Sequence, residues 1–252
     1  MSNIAVVYKS KYGYTKQYAQ WIAAELGVSL FEASQIKPAQ LAAYDVVVYG
    51  GGLYAGGING VSLVTKNPCE NLVVFSVGLA DPHTTDYSEI LAKNFPGETL
   101  TNTKVFHLRG GIDYTKLWFS HKVMMAIVRK MAAKKAEAER NSEERGILEA
   151  GTVGVDFTDK CTITPIVEYI NSLDFIAAHK FSFGHRAALS ADSKCGCFYC
   201  MKVFNPSEIN DWVKDPGETA ICPYCCIDSV IGESSGYPIT EELLSKMNKY
   251  WF

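Results

Sequence analysis

Apolar runs and polar stretches alternate along the N-terminal part of the chain in a pattern typical of an α/β protein. Five short runs rich in Val, Ile and Tyr lack polar alternation, which indicates strands buried on both faces. The alternation with helical stretches predicts a doubly wound, five-stranded parallel sheet. The predicted strands are residues 3–9, 28–31, 45–50, 71–78 and 104–109. The predicted helices are residues 16–26, 38–43 and 86–93, the last with a capping box formed by Asp86 and Glu89.

The loop after the first predicted strand runs directly into a helix, and this arrangement suits an anion. Backbone N–H groups at a helix N-terminus point outward without intrahelical partners. Hydroxyl groups of Ser10 and Thr15 add hydrogen-bond donors, and Gly13 permits a positive φ. The alternative is an ordinary strand-to-helix turn with Thr15 as the N-cap. The candidate phosphate-binding residues are Ser10, Lys11, Tyr12, Gly13, Tyr14 and Thr15.

Two further loops, after the third and fourth predicted strands, are rich in small residues. In a doubly wound sheet, ligands bind beyond the carboxyl ends of the strands, where these loops meet. Glycines let the backbone lie against a flat ligand on which Tyr54 could stack, whereas a flexible surface loop is the alternative. The candidate ligand-binding residues are Gly51, Gly52, Leu53, Tyr54, Ala55 and Gly56 in one loop, and Gly78, Leu79, Ala80 and Asp81 in the other.

The segment 115–140 combines apolar residues at helical spacing with many Lys and Arg residues. A basic amphipathic helix can lie on an anionic membrane. The narrow, Ala-rich apolar stripe instead favours packing on the same domain or on a second subunit. Residues 137–149 are highly charged and are expected to be mobile. We expect residues 153–157 to complete the fifth strand and a helix over residues 163–177 to close the first domain.

Six of the eight cysteines lie between Cys195 and Cys226. Two C-x-x-C pairs, separated by 21 residues, can place four thiolates at the corners of a tetrahedron around a metal ion. A disulfide framework is the alternative if the chain is secreted. Cys195 and Cys226 are spare thiols beside the two pairs. The predicted metal ligands are Cys197, Cys200, Cys222 and Cys225.

A change in composition near His179 predicts a second domain over residues 179–252, after a first domain over residues 1–178. The formal net charge is −3, and the second predicted domain has seven Lys/Arg and nine Asp/Glu residues. This balance argues against broad contact with nucleic-acid phosphates. The sequence has no run of 18 apolar residues and no signal-peptide pattern at its N-terminus. We therefore expect a cytoplasmic protein without a transmembrane segment.

The first loop resembles the phosphate loop of the flavodoxin superfamily, since Ser10, Gly13 and Thr15 match its pattern. This resemblance implies the strand order 2-1-3-4-5 and an FMN site built by the three loops. Within the superfamily, residues 75–79 and 110–114 resemble the flavodoxin-domain family that includes the short bacterial protoporphyrinogen oxidase. Trp118 and residues 152–159 also match that family, and the resemblance covers residues 3–178. The oxidase is richer in arginine in its loops, whereas here Asp81, Pro82 and His83 follow the fourth strand.

The cysteine pairs resemble those of zinc-ribbon and treble-clef domains and of small uncharacterised bacterial cytoplasmic proteins. In the treble-clef case, residues 227–231 would begin a helix after the second pair. Rubredoxins, which bind iron, carry similar pairs but usually have a glycine after each, where this chain has Met201 and Cys226. Zinc is therefore favoured, with iron as the alternative because four thiolates suit both metals.

Together these features predict an FMN-dependent oxidoreductase or electron-transfer protein with a C-terminal structural zinc module. One alternative is a two-centre electron carrier with flavodoxin-like and rubredoxin-like parts, and another is a non-catalytic, redox-sensing protein-interaction module. The expected partner is a redox protein or a small-molecule, quinone-type acceptor, and a homodimer is a further expectation. No residue stands out as a catalytic nucleophile or general base.

Overall fold

The computed structural model describes residues 3–67, 69–101 and 103–252. The chain forms two compact units, one that ends at Val167 and a second, Glu168–Phe252. The division falls inside the helix Thr164–His179. The boundary predicted from composition, between residues 178 and 179, lies at the end of the same helix.

The first unit is an α/β structure whose elements alternate along the chain. Its strands are β1 (Ile4–Lys9), β2 (Ser29–Glu32), β3 (Val46–Tyr54), β4 (Gly57–Ile58), β5 (Asn71–Gly78), β6 (Thr103–Arg109), β7 (Gly111–Asp113) and β8 (Gly154–Asp156). Its α-helices are α1 (Tyr14–Leu26), α2 (Ser62–Thr65), α3 (Ser88–Asn94), α4 (Phe119–Lys134), α5 (Ser142–Glu149) and the beginning of α6 (Thr164–His179). Short 3-10 helices span Pro38–Ala43, Gly97–Leu100, Glu137–Glu139 and Lys160–Ile163.

The main sheet confirms the predicted parallel α/β architecture. Its parallel strands lie in the order β2-β1-β3-β5-β6. Within the described residues the sheet has six strands rather than five, because β4 turns back and pairs antiparallel with β3. Ala55 and Gly56 connect the two strands with φ values of 49° and 72°. Two successive positive φ angles are typical of a tight hairpin turn, so the predicted glycine loop is largely a β-hairpin.

The core lies on both faces of the sheet, as the apolar strand runs predict. The interiors of β1, β3 and β5 are buried without alternation, since helices cover a doubly wound sheet on both sides. On one face, residues such as Val7, Val47 and Val74 pack with Leu41 of the first 3-10 helix. This rigid sheet fixes where each strand ends, and therefore where the following loops lie.

Two local predictions in the first unit are wrong. Helix α3 begins at Ser88 with Tyr87 as its N-cap, and Asp86 accepts hydrogen bonds from the Ser88 N–H and hydroxyl instead of forming a capping box with Glu89. Residues 153–157 do not extend the main sheet, because β8 pairs antiparallel with β7 in a separate ribbon. The charged segment 137–149, for which we predict mobility, contains the 3-10 helix Glu137–Glu139 and helix α5, which begins with a capping box between Asn141 and Glu144.

The second unit combines small antiparallel sheets with short helices. Besides the end of α6, it contains α7 (Arg186–Leu189), β9 (Cys195–Cys197), β10 (Val203–Phe204), β11 (Trp212–Val213), β12 (Thr219–Ala220), β13 (Val230–Gly232) and α8 (Glu241–Trp251). Strand β9 pairs with β10 and β13, and β11 pairs with β12. The helix expected from residue 227 is therefore wrong, because that region leads into strand β13. One buried cluster joins Ile231 to Leu244 and Met247 of α8.

Candidate functional site

A cleft of about 350 Å³ opens where β1, β3 and β5 end. Its volume lies within the range of small-molecule sites. It is lined by residues from all three predicted loops, as expected for the carboxyl edge of a doubly wound sheet. The sequence-predicted residues that line the cleft are Ser10, Lys11, Tyr12, Tyr14, Thr15, Gly52, Leu53, Tyr54, Gly78 and Leu79.

The other predicted residues lie beside the cleft. Gly13 lines a neighbouring groove along α1, and Gly51 faces the side chain of Ile58. Ala80 is buried, and the Asp81 carboxylate accepts a hydrogen bond from the His83 N–H at 2.9 Å. The two remaining residues, Ala55 and Gly56, form the hairpin turn described above.

The N-terminus of α1 has no capping side chain. Its N-cap is Gly13, with φ of 102°, and the helix has neither a side-chain cap nor an acidic residue in its first turn. The Gly13 N–H donates to the Ser10 hydroxyl oxygen at 3.1 Å, which folds the loop under the helix end. Thr15 is buried inside the first turn, so the alternative in which it acts as N-cap is wrong. The uncapped N–H groups and the helix dipole favour a negative group here.

Glycines keep the floor of the cleft narrow. A Cβ added to Gly110 would lie 2.6 Å from a methyl group of Val77, and one added to Gly78 would lie 2.9 Å from Leu53. At both positions any side chain would force the walls apart, because real Cβ atoms do not approach other atoms so closely. The backbone therefore packs closely here and leaves a slot that suits a flat ligand.

The second unit brings the four predicted metal ligands together. The Sγ atoms of Cys197, Cys200, Cys222 and Cys225 all lie within 4.8 Å of one another. Those of Cys197 and Cys225 are 3.6 Å apart, and those of Cys200 and Cys222 are 3.8 Å apart. A tetrahedral zinc ion with Zn–S bonds of about 2.3 Å requires sulfur atoms about 3.8 Å apart. The donor set and its spacing therefore fit one thiolate-bound metal ion.

The two cysteine pairs sit on equivalent backbone turns. The Cys197 N–H donates to the Lys202 carbonyl and the Cys222 N–H to the Ile227 carbonyl, both at 2.9 Å and five residues ahead. Each turn closes with a residue of positive φ, Met201 at 60° and Cys226 at 62°. These are the positions where rubredoxins usually carry glycine, so this chain adopts a glycine-like conformation without glycine.

The remaining cysteines of this region stay outside the cluster. Cys195 is buried and its thiol faces the Phe204 carbonyl oxygen at 3.5 Å. Burial raises the pKa of Cys195 to about 12, which keeps it a neutral thiol. Cys226 is exposed. Among the ligand residues, burial also raises the pKa of Cys222 to about 11, so a bound cation would be needed to hold it as a thiolate.

Comparison with known families decides the identity of the first unit. The family model described as "Flavodoxin domain" matches residues 5–139, which is slightly more than half of the 252-residue chain. The chain belongs to the flavodoxin domain family. The matched range includes all three loops of the cleft and ends before the cysteine cluster.

Solved structures with related flavodoxin folds are distant from this chain. A flavodoxin, WrbA-like protein from Agrobacterium tumefaciens is 19% identical, over 41% of this chain and 76% of its own, with a TM-score of 0.28. A flavoprotein in complex with FMN from Lactobacillus acidophilus is 13% identical, over 43% and 93%, with a TM-score of 0.30. The Flv1 flavodiiron core from Synechocystis is 17% identical, over 42% and 30%, with a TM-score of 0.32. No curated protein matched the chain.

Sequence reasoning missed the part of the flavodoxin domain that covers the cleft. Leu117, His121, Met124 and Met125, at and just before the start of α4, line it. Their spacing of three to four residues is the signal that was available, but the same stripe also predicts ordinary helix packing. Further lining residues are Gly57, Ile58, Asn59, Val77, Gly110, Gly111 and Ile112.

His121 anchors α4 to the loops of the flavodoxin domain. Its ring nitrogens contact the Tyr12 hydroxyl and, at 3.2 Å, the Lys11 ammonium group. Its ring also lies beside that of Tyr54, with centroids 5.6 Å apart. The Lys11 ammonium lies 5.0 Å from the centre of the Tyr54 ring. Three predicted binding residues are therefore held together by one histidine from a segment far along the chain.

Arg109 fixes the loop after β5. Its Nε donates to the Leu79 carbonyl at 3.1 Å, and its guanidinium group lies 3.6 Å from the centre of the Phe157 ring. It also pairs with Glu149 of α5. An arginine with these three contacts holds the Leu79 carbonyl, and with it the loop after β5, in place.

A serine–histidine pair in the flavodoxin domain does not line the cleft. Ser76 and His107 side chains are 2.6 Å apart, and the His107 ring stacks on Tyr87 with centroids 3.5 Å apart. Burial lowers the pKa of His107 to about 4, so the ring is neutral near pH 7. This environment fits a packing role for His107.

Within the described residues, no helix is both long and apolar enough to cross a membrane.

Proposed function

We propose that the cleft binds FMN and that the protein functions as an FMN-dependent oxidoreductase or electron-transfer protein. The observation that carries the proposal is the uncapped N-terminus of α1, which opens beside a narrow, glycine-lined cleft. FMN joins one terminal phosphate to a flat ring system, and these two features need such an anion site and such a slot. When bound, FMN supplies the redox chemistry.

Each part of the cleft would contact a different part of FMN. Ser10, Thr15 and the first N–H groups of α1 would hold the phosphate, with Lys11 supplying positive charge. Tyr54 and Gly52 would contact the flat ring, and the Leu79 peptide would offer backbone hydrogen bonds to its polar edge. His121 and the apolar side chains of α4 would shield the ring from water.

We further propose that the four-cysteine cluster binds one zinc ion that stabilises the second unit. The sulfur spacing supports a tetrahedral metal site, and the strands around the cluster are only two or three residues long. Iron is the second candidate, because Met201 and Cys226 adopt the conformation that glycine supplies in rubredoxins. With iron, the protein would be a two-centre electron carrier.

The proposed partner is a redox protein or a small quinone-type acceptor, not a nucleic acid. An exposed apolar surface on α4, near the cleft, supports contact with another protein, and a second copy of this chain is the simplest occupant. The side chains of Trp118, Phe119, Ile127 and Met131 are 75%, 83%, 55% and 61% exposed. Clustered cysteine thiols favour a reducing compartment, which is consistent with a cytoplasmic location.

Identifying the flavin released from the purified protein tests the proposal. The protein should carry FMN and neither FAD nor a nicotinamide nucleotide, because the anion site suits one terminal phosphate and the loop lacks the G-x-G-x-x-G pattern. Chromatography of the heat-released cofactor distinguishes these molecules. Recovery of FAD in place of FMN would overturn the assignment.

A further inference from the structure

The second unit contains a cavity of about 320 Å³, and none of the four clustered cysteines lines it. Aromatic rings form much of its wall: His179 stacks on Trp251 with centroids 4.0 Å apart, and Phe183 lies 6.0 Å from His179. Phe252 also lines it. Trp251, Phe183 and Phe252 remain 38%, 54% and 65% exposed, so the rings surround an open mouth.

Two carboxylates, Asp215 and Asp228, face this aromatic wall. Asp215 is held in place because its Oδ2 accepts a hydrogen bond from the Thr219 hydroxyl at 2.6 Å. Its other oxygen, Oδ1, is buried and has no hydrogen-bond partner among the described residues. A buried carboxylate oxygen without a hydrogen-bond partner is costly, and a cation in the adjoining cavity would reduce this cost through its charge.

The other polar groups that line the cavity do not offset this negative charge. The Ser182 hydroxyl donates to the His179 carbonyl at 2.8 Å, and the Ser229 hydroxyl lies 3.2 Å from the Cys197 sulfur. No lysine or arginine is among the residues that line the cavity. The local charge is therefore negative and lacks a positive partner inside the cavity.

We propose that this cavity binds an organic cation that carries N–H groups, either a guanidinium or a primary ammonium group. Its positive charge would pair with Asp215 and Asp228, and its flat or alkyl part would lie against the rings of Trp251 and His179. The exposed Asp228 carboxylate can accept a hydrogen bond from a cation that carries an N–H donor. Quaternary ammonium ions, which aromatic cages also bind, lack one and fit less well.

An NMR titration of the full-length protein with ethylguanidinium tests this proposal at constant ionic strength. The indole N–H signal of Trp251, identified by its loss in Trp251→Phe, reports binding. Ethylurea has nearly the same shape without the charge, and tetramethylammonium has the charge without a donor. Ethylguanidinium should give a saturable shift, with an affinity about tenfold or more above both controls, as expected for one charge-assisted hydrogen bond.

Substitutions test whether Asp215 and Asp228 bind the cation. Asp215→Asn keeps an oxygen for Thr219 and should lower the affinity for ethylguanidinium about tenfold. Asp228→Asn, at an exposed position, should also lower it, whereas Asp211→Asn, an exposed aspartate outside the cavity, should leave it unchanged. Dispersed NMR signals in each variant would show that it is folded.

The proposal is overturned if ethylguanidinium gives no saturable shift, if ethylurea binds equally well, or if the folded Asp215→Asn and Asp228→Asn variants bind like the original protein. A capped Gly-Arg-Gly peptide separates the two sources of a guanidinium group. Tighter binding of the peptide assigns the cavity to an arginine of a partner protein, and weaker binding assigns it to a free small cation.

Discussion

Gly13 is the residue on which the anion site depends. Its φ of 102° lets the chain leave β1 and enter α1 without a side chain in front of the first N–H groups. Nothing lies within 4 Å of a Cβ built at this position, so a substitution meets open space and acts through backbone strain and charge.

Gly13→Glu should abolish FMN binding, because its carboxylate would occupy and repel the phosphate position. The matched control is Gly27→Glu at the other end of α1, where φ is 67° and the space around a Cβ is equally open. Each variant should cost about 1–2 kcal/mol in free energy of unfolding, yet only the first should lose FMN. Flavin fluorescence titration measures both affinities, and an unchanged affinity in Gly13→Glu would refute the phosphate assignment.

Sequence could predict that the parts of the loop before α1 lie together, because they are neighbours in the chain. Ser10, Thr15 and Gly13 form one loop whose hydroxyls, glycine and following helix are neighbours in the chain. His121 could not be found in this way, because its contacts with Tyr12 and Lys11 span about 110 residues. Such a contact depends on how α4 folds back over the loops, which periodicity alone does not show.

At the scale of elements, the two cysteine turns carry measurable strain. Met201 and Cys226 hold φ values of 60° and 62°, a conformation that costs most residues about 1–2 kcal/mol relative to glycine. The turns persist because each is closed by a backbone hydrogen bond and joined to the other through the cluster.

Met201→Gly and Cys226→Gly should each raise the free energy of unfolding of the second unit by up to about 1 kcal/mol, since relief of strain exceeds the added chain entropy. Ala191→Gly, at an exposed position without positive φ, should instead destabilise it. Thermal unfolding and the rate of metal loss to a chelator measure the effect. If both Met201→Gly and Cys226→Gly destabilise the second unit, the two side chains contribute more to its stability than their backbone strain costs.

Helix α4 is the element whose role sequence left most open. Some of its basic side chains already have partners within the first unit. Arg129 donates to the Gly151 carbonyl at 2.8 Å, and Lys135 pairs with Glu144 at 2.6 Å. Fewer lysines and arginines thus remain for an anionic membrane, while the apolar residues at its start stay exposed. This balance supports self-association over membrane binding.

Phe119→Glu should therefore shift a dimer towards monomer in analytical ultracentrifugation, because it places a charge in the apolar contact. Val153→Glu, at a position 81% exposed in the same unit but outside α4, is the control and should leave the dimer intact. The unmodified protein should not sediment with anionic vesicles at physiological salt. Salt-sensitive vesicle binding that is lost on replacing Lys130 and Lys134 would contradict this account.

The sheet was predictable because its apolar strand runs are long and buried on both faces. Hairpin β3–β4 was not, since its turn uses Ala55 in a positive φ conformation that sequence patterns do not favour for alanine. Helix α5 was not predicted because of its composition. Its charges suggest disorder, but the Asn141 capping box and the Arg109–Glu149 ion pair stabilise it as a helix.

For the whole molecule, the two units are expected to depend on different ligands. The flavodoxin domain has its own core on the main sheet, whereas two of the four clustered cysteines, Cys197 and Cys222, are themselves part of a buried core of the second unit. Structural zinc can contribute on the order of 10–16 kcal/mol of apparent binding free energy to such a small unit.

Cys200→Ser or Cys222→Ser should therefore release the metal and unfold residues 179–252 while FMN stays bound. Cys226→Ser, which removes an exposed thiol outside the cluster, is the control and should retain the metal. Metal analysis, the visible spectrum after flavin removal and limited proteolysis provide the readouts. One zinc per chain is expected, stoichiometric iron with thiolate charge-transfer bands would establish the two-centre alternative, and neither metal would contradict both.

The central claim is that the uncapped end of α1 recognises the phosphate of FMN. The most direct measurement compares the affinities of flavin-free protein for FMN and for riboflavin, which differs only in lacking the phosphate. We predict one FMN per chain with an affinity about 100-fold or more above that for riboflavin, because two or more charge-assisted hydrogen bonds depend on the phosphate. Equal affinities for the two flavins, or no binding of either, would contradict the account.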